Sequence, residues 1–178
     1  MERIKEKIDM KTIFCDMDGV LCDFEAGYKA ITGRTPSDVR TDSNKKLYSM
    51  YWDTFLDAEG FTRLPWHNAG GIVLADTLHR LDRKHFNVCI LSSSGGFHRH
   101  REVAEQKMAW LKYHFIPWPV VIVPGRRYKA GFARSDSLLI DDTLSIITDF
   151  EYAGGAAIHH TSWAQTGPVL QTFIEDRW

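Results

Sequence analysis

Asp16-Met17-Asp18-Gly19-Val20 places two carboxylates two residues apart, directly after the short apolar run Thr12-Ile13-Phe14-Cys15. In an extended segment, residues i and i+2 point the same way. Both acids are therefore expected to face one small volume at the carboxyl end of a strand, where open α/β sheets bind ligands. Like charges held that close are costly unless a cation or a proton is shared between them. The spacing predicts a metal site. Three further apolar runs end in residues of matching chemistry. Val88-Cys89-Ile90-Leu91 leads into Ser92-Ser93-Ser94-Gly95-Gly96, and Val120-Val121-Ile122-Val123 is followed by Pro124-Gly125-Arg126-Arg127-Tyr128-Lys129. Leu138-Leu139-Ile140 leads into Asp141-Asp142. On a parallel sheet these ends share one edge. Four acids, a serine cluster and a lysine gathered there suit magnesium-assisted phosphoryl transfer, in which Mg²⁺ takes carboxylate oxygens while hydroxyl, ammonium and N–H donors hold the phosphoryl group.

The elements that must position these residues follow from hydrophobic patterning. Thr12–Cys15, Asn87–Leu91, Val120–Val123, Ser137–Ile140 and Ala156–His159 are continuous rather than alternating apolar runs, as strands covered on both faces require. Helical stripes lie between them: Leu74, Leu78 and Leu81; Ala104, Met108, Leu111 and Phe115; Ile146, Ile147 and Phe150. Strand–helix repetition predicts an α/β fold, a Rossmann-like doubly wound parallel sheet. Residues 24–67 break the rhythm, with no strand run but a helical stripe at Leu47, Tyr51 and Phe55, punctuated by Gly33, Pro36 and Gly60. They are expected to form a small helical cap inserted after the first strand, residues 1–23 and 68–178 forming the core. Gly167-Pro168 before Val169, Leu170, Phe173 and Ile174 predicts a terminal helix with proline in its first turn.

Bulk properties remove several function classes. The chain of 178 residues can bury one good core. A formal charge of −1 and a pI near 6.7 supply no global field for nucleic acid or anionic membrane. No apolar run is long enough to span a bilayer, and the charged start Met1-Glu2-Arg3-Ile4-Lys5-Glu6-Lys7 has no signal-peptide core. Cys15, Cys22 and Cys89 lie in or beside apolar segments without zinc spacing. They read as reduced, buried thiols of a cytoplasmic protein. A second copy of the chain, as a homodimer, is the one protein partner this reading leaves open.

Taken in order, Asp16-x-Asp18-Gly19-Val20, the run into Ser92, Lys129, and the run into Asp141-Asp142 resemble the four motifs of the haloacid dehalogenase superfamily. Asp16 through Glu25 is similar to the extended first motif of its 5′-deoxyribonucleotidase branch and phage and bacterial relatives, with Cys22 where alanine is usual. Lys129-Ala130-Gly131-Phe132-Ala133 and Leu139-Ile140-Asp141-Asp142 resemble the phage-type third and fourth motifs. The resemblance implies a Mg²⁺-dependent phosphatase in which Asp16 attacks phosphorus to form an aspartyl-phosphate and Asp18 serves as acid, then base. It implies a metal held by the Asp16 carboxylate, the Asp18 backbone carbonyl and Asp141 or Asp142, with Ser92, Ser93 and Lys129 on the phosphoryl oxygens. Phe24 resembles the family's base-stacking aromatic, and Trp52 and Phe55 are further candidates to face the substrate. The implied substrate is a small-molecule phosphate ester, a 5′-(deoxy)ribonucleoside monophosphate.

Each motif alone has a plainer account. Asp-x-Asp-Gly favours turns, Lys129 could be solvated with Arg126 or Arg127 as the phosphate partner, and Asp141-Asp142 could cap the next helix. The cluster His98-Arg99-His100-Arg101 reads as a solvated helix start or an anion attractor, and His159-His160 as structural. Other small esters, 3′-phosphorylated nucleic-acid ends and a catalytically silent nucleotide-binding module are the rival functions. The neutral pI counts against polynucleotide, and no P-loop motif occurs.

Overall fold

The computed structural model describes residues 11–41, 45–82 and 86–177; the charged N-terminal segment lies outside them. Five strands form one parallel sheet: β1 Lys11–Cys15, β2 Phe86–Ser93, β3 Val120–Val123, β4 Ser137–Asp141 and β5 Ala156–His159, in the order β3-β2-β1-β4-β5. The expected Rossmann-like α/β sheet is present, and each predicted apolar run is a strand. Continuous burial has a direct cause, because successive side chains feed two separate cores. Ile13 and Cys15 pack into one cluster with Leu74, Leu78, Trp110 and Leu170. Phe14, between them in sequence, packs into the other with Leu139, Ile146 and Phe150.

Chain connectivity creates the crevice. After β1 the chain crosses to β2 and β3 on one side, then returns to β4 on the other flank of β1. Strands β1 and β4 are thus neighbours whose following loops diverge, which opens a gap at their carboxyl ends. Cys15 pairs with Ile140 in register, and the Asp16 N–H donates to the Ile140 carbonyl at 2.9 Å. Asp16 and Asp141 are brought side by side by this register.

Between β1 and helix α4 (Asn68–Asp82) the chain is helical: α1 Phe24–Thr32, α2 Pro36–Thr41, α3 Lys45–Asp57 and a 3₁₀ turn over Gly60–Arg63. Helix α1 starts where the Asp23 carboxylate accepts the Ala26 N–H at 2.9 Å, and it stops at Gly33 in the left-handed region, φ 74°. Helices α5 (His100–Tyr113), α6 (Leu144–Tyr152) and α7 (Trp163–Arg177) complete the fold.

Two sequence expectations need correction. In α5 the inward stripe is Val103, Lys107, Trp110 and Leu111, whereas Met108 is half-exposed and Phe115 lies beyond the helix, 90% exposed. The charged Lys107 interrupts the apolar pattern, so periodicity selects the wrong face. In α7 the helix begins at Trp163, which puts Pro168 past its first turn. The Thr166 N–H donates to the Ser162 carbonyl at 2.9 Å, so the first turn is built upstream of the proline. Among the described residues, no helix is long and apolar enough to cross a membrane. All three cysteines are buried free thiols.

Candidate active site

A cleft of about 650 Å³ opens over the carboxyl edge of the sheet. Asp16, Asp18, Phe24, Trp52, Ser92, Ser93, Lys129 and Asp142 all line it; Asp141 is fully buried behind them. Carboxylate oxygens of Asp16, Asp141 and Asp142 lie within 4.8 Å of one another. Lys129 Nζ bridges two of these acids, 2.8 Å from Asp16 Oδ2 and 2.7 Å from Asp141 Oδ2. Lys129 is therefore a buried partner of the nucleophile candidate, and its solvated reading falls.

The loop after β1 is closed on itself, with the Leu21 and Cys22 N–H groups both donating to the Met17 carbonyl. Gly19 holds φ at 75°, and a Cβ there would come within 2.2 Å of Asp142 Oδ2. Only glycine lets the loop take this turn and the carboxylate approach so closely. Asp141 Oδ1 accepts the Thr143 N–H at 2.9 Å, and Asp142 Oδ1 accepts the Thr143 hydroxyl at 3.1 Å. Thr143 is the residue preceding α6, so both acids also brace that helix start. Capping and metal binding are compatible here.

Asp18 departs from the expectation that both acids face one centre. Its carboxylate turns to Lys107, with Nζ at 2.6 Å from Oδ2, and its side chain is not among the clustered carboxylates. Lys107 is fully buried, and it also donates to Ser92 Oγ and to the Ser93 carbonyl, each at 2.9 Å. Its ammonium lies 4.8 Å from the Phe61 ring centroid. One lysine thus ties the strand-two serines to the loop after strand one. Sequence reasoning missed it; the available signal was a lysine at an inward i, i+4 position between Val103 and Leu111.

Electrostatics follow from this wiring. Burial raises the Asp16 pKa, but the charges of Lys129 and Lys107, with hydrogen bonds from Lys129 and the Met17 N–H, outweigh it and leave it lowered. Asp16 is held ionised, as a nucleophile must be. Burial, then repulsion from Asp16, pushes Asp141 up to about 6. Burial and Asp16 also raise Asp142. Lys129 stays charged because Asp16 and Asp141 offset the cost of its burial. Asp16, Asp18, Asp141 and Asp142 set four carboxylates against the two ammonium groups of Lys107 and Lys129, a deficit of two positive charges. Hard oxygen donors with that deficit fit a divalent cation such as Mg²⁺.

Farther out, Phe24 stacks on Phe61, with centroids 5.6 Å apart and planes at 13°. Trp52 meets Phe24 edge-on at 6.3 Å. Phe55 is fully buried behind this group and does not line the cleft. The basic cluster beside α5 is engaged by acids: His98 with Asp53, Arg99 with Asp53, Asp57 and Glu102, and Arg101 with Glu105. It ties α3 to α5, and its role as an anion attractor is withdrawn. His159 Nε2 donates to the Asp142 carbonyl at 3.0 Å, and His160 Nδ1 lies 2.9 Å from Thr166 Oγ1. Burial, then the neighbouring His67 and His159, lowers His160 to about 4. His67 and His160 also line the cleft, which the sequence did not indicate.

No protein-family model and no curated protein sequence matches the chain. Solved structures do. A haloacid dehalogenase-like family hydrolase from Streptococcus pneumoniae superposes with a TM-score of 0.59 at 14% identity, over 91% of this chain and 90% of that one. A second hydrolase from Streptococcus pneumoniae gives 0.54 at 17% identity, over 91% and 98%. A Bacteroides vulgatus chain assigned as a β-phosphoglucomutase gives 0.54 at 15% identity, over 96% and 91%. The chain thus shares the α/β, Rossmann-like fold of these haloacid dehalogenase-like structures.

Proposed function

We propose that this protein is a Mg²⁺-dependent phosphomonoesterase that works through an aspartyl-phosphate on Asp16. The observation that carries this reading is Asp16 itself. It is a buried carboxylate kept ionised by Lys129, at the strand switch point, within 4.8 Å of two further acids and open to a cleft. Asp16, Asp142 and the Asp18 carbonyl would hold the metal, with Asp141 behind them. Asp142 faces the cleft, whereas both Asp141 oxygens already have partners. Bound there, Mg²⁺ would neutralise phosphoryl oxygens. Asp16 Oδ attacks phosphorus while Lys129 and the Ser92 hydroxyl bind the oxygens on which charge is rearranged. Asp18, positioned by Lys107, protonates the leaving oxygen and then takes a proton from the water that cleaves the acyl-phosphate.

The substrate we favour is a 5′-deoxyribonucleoside monophosphate. Its support is the first-motif resemblance together with the partly open aromatic wall of Phe24 and Trp52. Residues 24–67 would act as a cap that covers the ester and excludes water. The Bacteroides vulgatus assignment favours a sugar phosphate as the second reading. Phosphate release from deoxyribo- and ribonucleoside 5′- and 3′-monophosphates and from hexose phosphates, with Mg²⁺ and with EDTA, separates the two. Silence across the whole panel defeats the phosphatase reading. If Phe24 contacts the base, Phe24→Ala raises KM for nucleotides about tenfold and spares small aryl phosphates. Equal effects on both make Phe24 a packing residue.

The charge deficit predicts pH-dependent stabilisation by metal. Asp141 has a folded pKa near 6 against an ordinary 3.8, so its contribution to stability is present below about 3.8 and lost as pH rises through about 6. A divalent cation takes the place of the missing proton. Adding Mg²⁺ should therefore raise Tm by several degrees at pH 7.5 and by much less at pH 5. Shifts of equal size at both pH values would show that cation and proton do not compete at this acidic cluster.

A further inference from the structure

The cleft also holds a cation that none of its own acids uses. Lys129 is engaged by Asp16 and Asp141, and Lys107 by Asp18. Arg126 lines the same cleft, is exposed, and has no ion pair or hydrogen bond among the described residues. Its placement follows from local geometry. Arg126–Phe132 is a 3₁₀ helix, and with three residues per turn the side chains at i and i+3 eclipse. Arg126 therefore stands one turn from Lys129 on the same face, outward toward solvent, while Lys129 reaches the buried carboxylates. Arg127 is turned elsewhere, its guanidinium 5.1 Å from the Tyr128 ring centroid and donating to the Tyr128 hydroxyl at 3.2 Å.

An aromatic pair lies on the neighbouring loops but does not line the cleft. Phe97, from the loop after β2, packs edge-on against Tyr128, from the segment after β3, with centroids 6.4 Å apart. Both rings are open to solvent, Phe97 at 74% and Tyr128 at 39%. Gly95, two residues before Phe97, lines the cleft within 3.8 Å (as a Cβ) of Trp52. An unpaired guanidinium in the cleft, one turn outside the lysine that meets the buried acids, suits a second anionic group on the substrate. The reacting phosphate belongs at Asp16, where Lys129 and Ser92 are buried; Arg126 lies a turn farther out.

We propose that Arg126 is a specificity-determining residue that binds a second phosphate of the substrate. The preferred substrate class is then a phosphate ester bearing two phosphates, such as a nucleoside bisphosphate or a 5′-phosphorylated dinucleotide. The catalytic part of this inference rests on the phosphatase reading above; the binding part does not.

The test compares deoxyadenosine 3′,5′-bisphosphate, a 5′-phosphorylated dinucleotide and deoxyadenosine 5′-monophosphate. Wild type should show kcat/KM at least about tenfold higher for one or both doubly phosphorylated compounds. Arg126→Gln should bring that ratio close to one, and Arg126→Lys should restore part of it by returning the charge. Preference for the bisphosphate alone identifies a terminal second phosphate; preference shared with the dinucleotide identifies an internucleotide one. A wild-type ratio near one overturns the proposal. So does an Arg126→Gln loss of equal size on all three compounds, which would assign Arg126 to the reacting phosphate. Calorimetric binding of the same compounds to Asp16→Asn, with and without Arg126→Gln, needs no turnover. If no ester is hydrolysed but the calorimetric preference depends on Arg126, the subsite stands and the phosphatase reading falls. If hydrolysis occurs but neither assay depends on Arg126, the reverse holds.

Discussion

Asp16→Asn should reduce phosphate release to below about one-thousandth of wild type while leaving the protein folded. The amide keeps the carboxylate's shape but cannot attack phosphorus. Lys129 retains Asp141 as a partner at 2.7 Å, so no buried cation is stranded. Repulsion from Asp16 is among the forces that raise Asp141 and Asp142, and its removal relaxes both. The melting temperature of the variant without metal should therefore be unchanged or slightly higher. Single-turnover phosphate release and thermal melting on the same preparation check both halves. Activity within about tenfold of wild type would remove Asp16 from the nucleophile's role.

Lys107→Met should damage stability and chemistry together. Methionine fills the apolar part of the slot but strands the Asp18 carboxylate, Ser92 Oγ and the Ser93 carbonyl, all of which Lys107 now satisfies. Breaking a fully buried pair costs about 3–5 kcal/mol. The Asp18 side chain is 26% exposed, so water recovers some of that and a loss of about 3 kcal/mol is expected. For a chain of this size that corresponds to a Tm lower by roughly 6–12 °C. Turnover should fall about 100-fold, and most steeply for esters with poor leaving groups, because those depend on Asp18 as proton donor. Uniform slowing across a leaving-group series would show that Lys107 acts through Ser92 and not through Asp18.

The two variants probe residues of very different visibility in the sequence. Asp16, Asp18, Ser92 and Asp141-Asp142 each follow an unbroken apolar run. A parallel sheet leaves no other place for the end of such a run than its carboxyl edge. Lys129 could be placed near the same edge, but its bonds to Asp16 and Asp141 could not be foreseen from its position in a loop. Lys107 was hidden by its chemistry. A lysine on an inward helix face breaks the apolar stripe that locates that face, so periodicity chose Ala104, Met108 and Phe115 instead. The basic cluster at His98–Arg101 failed for a related reason. Its partners, Asp53 and Asp57, lie more than forty residues earlier on α3, and no local pattern connects them.

Strand runs, their order along the chain and the residue types that end them are local properties, set by the burial demands of a two-faced parallel sheet. They suffice for the α/β architecture and for the acids that gather at the sheet's carboxyl edge. Which carboxylate meets which cation is not local. The β1–β4 register sets Asp16 beside Asp141, the packing of α5 carries Lys107 to Asp18, and the 3₁₀ turn after β3 leaves Arg126 free at the cleft mouth. Charge pairing depends on distances of a few ångströms between segments far apart in the chain, so only the tertiary structure decides it.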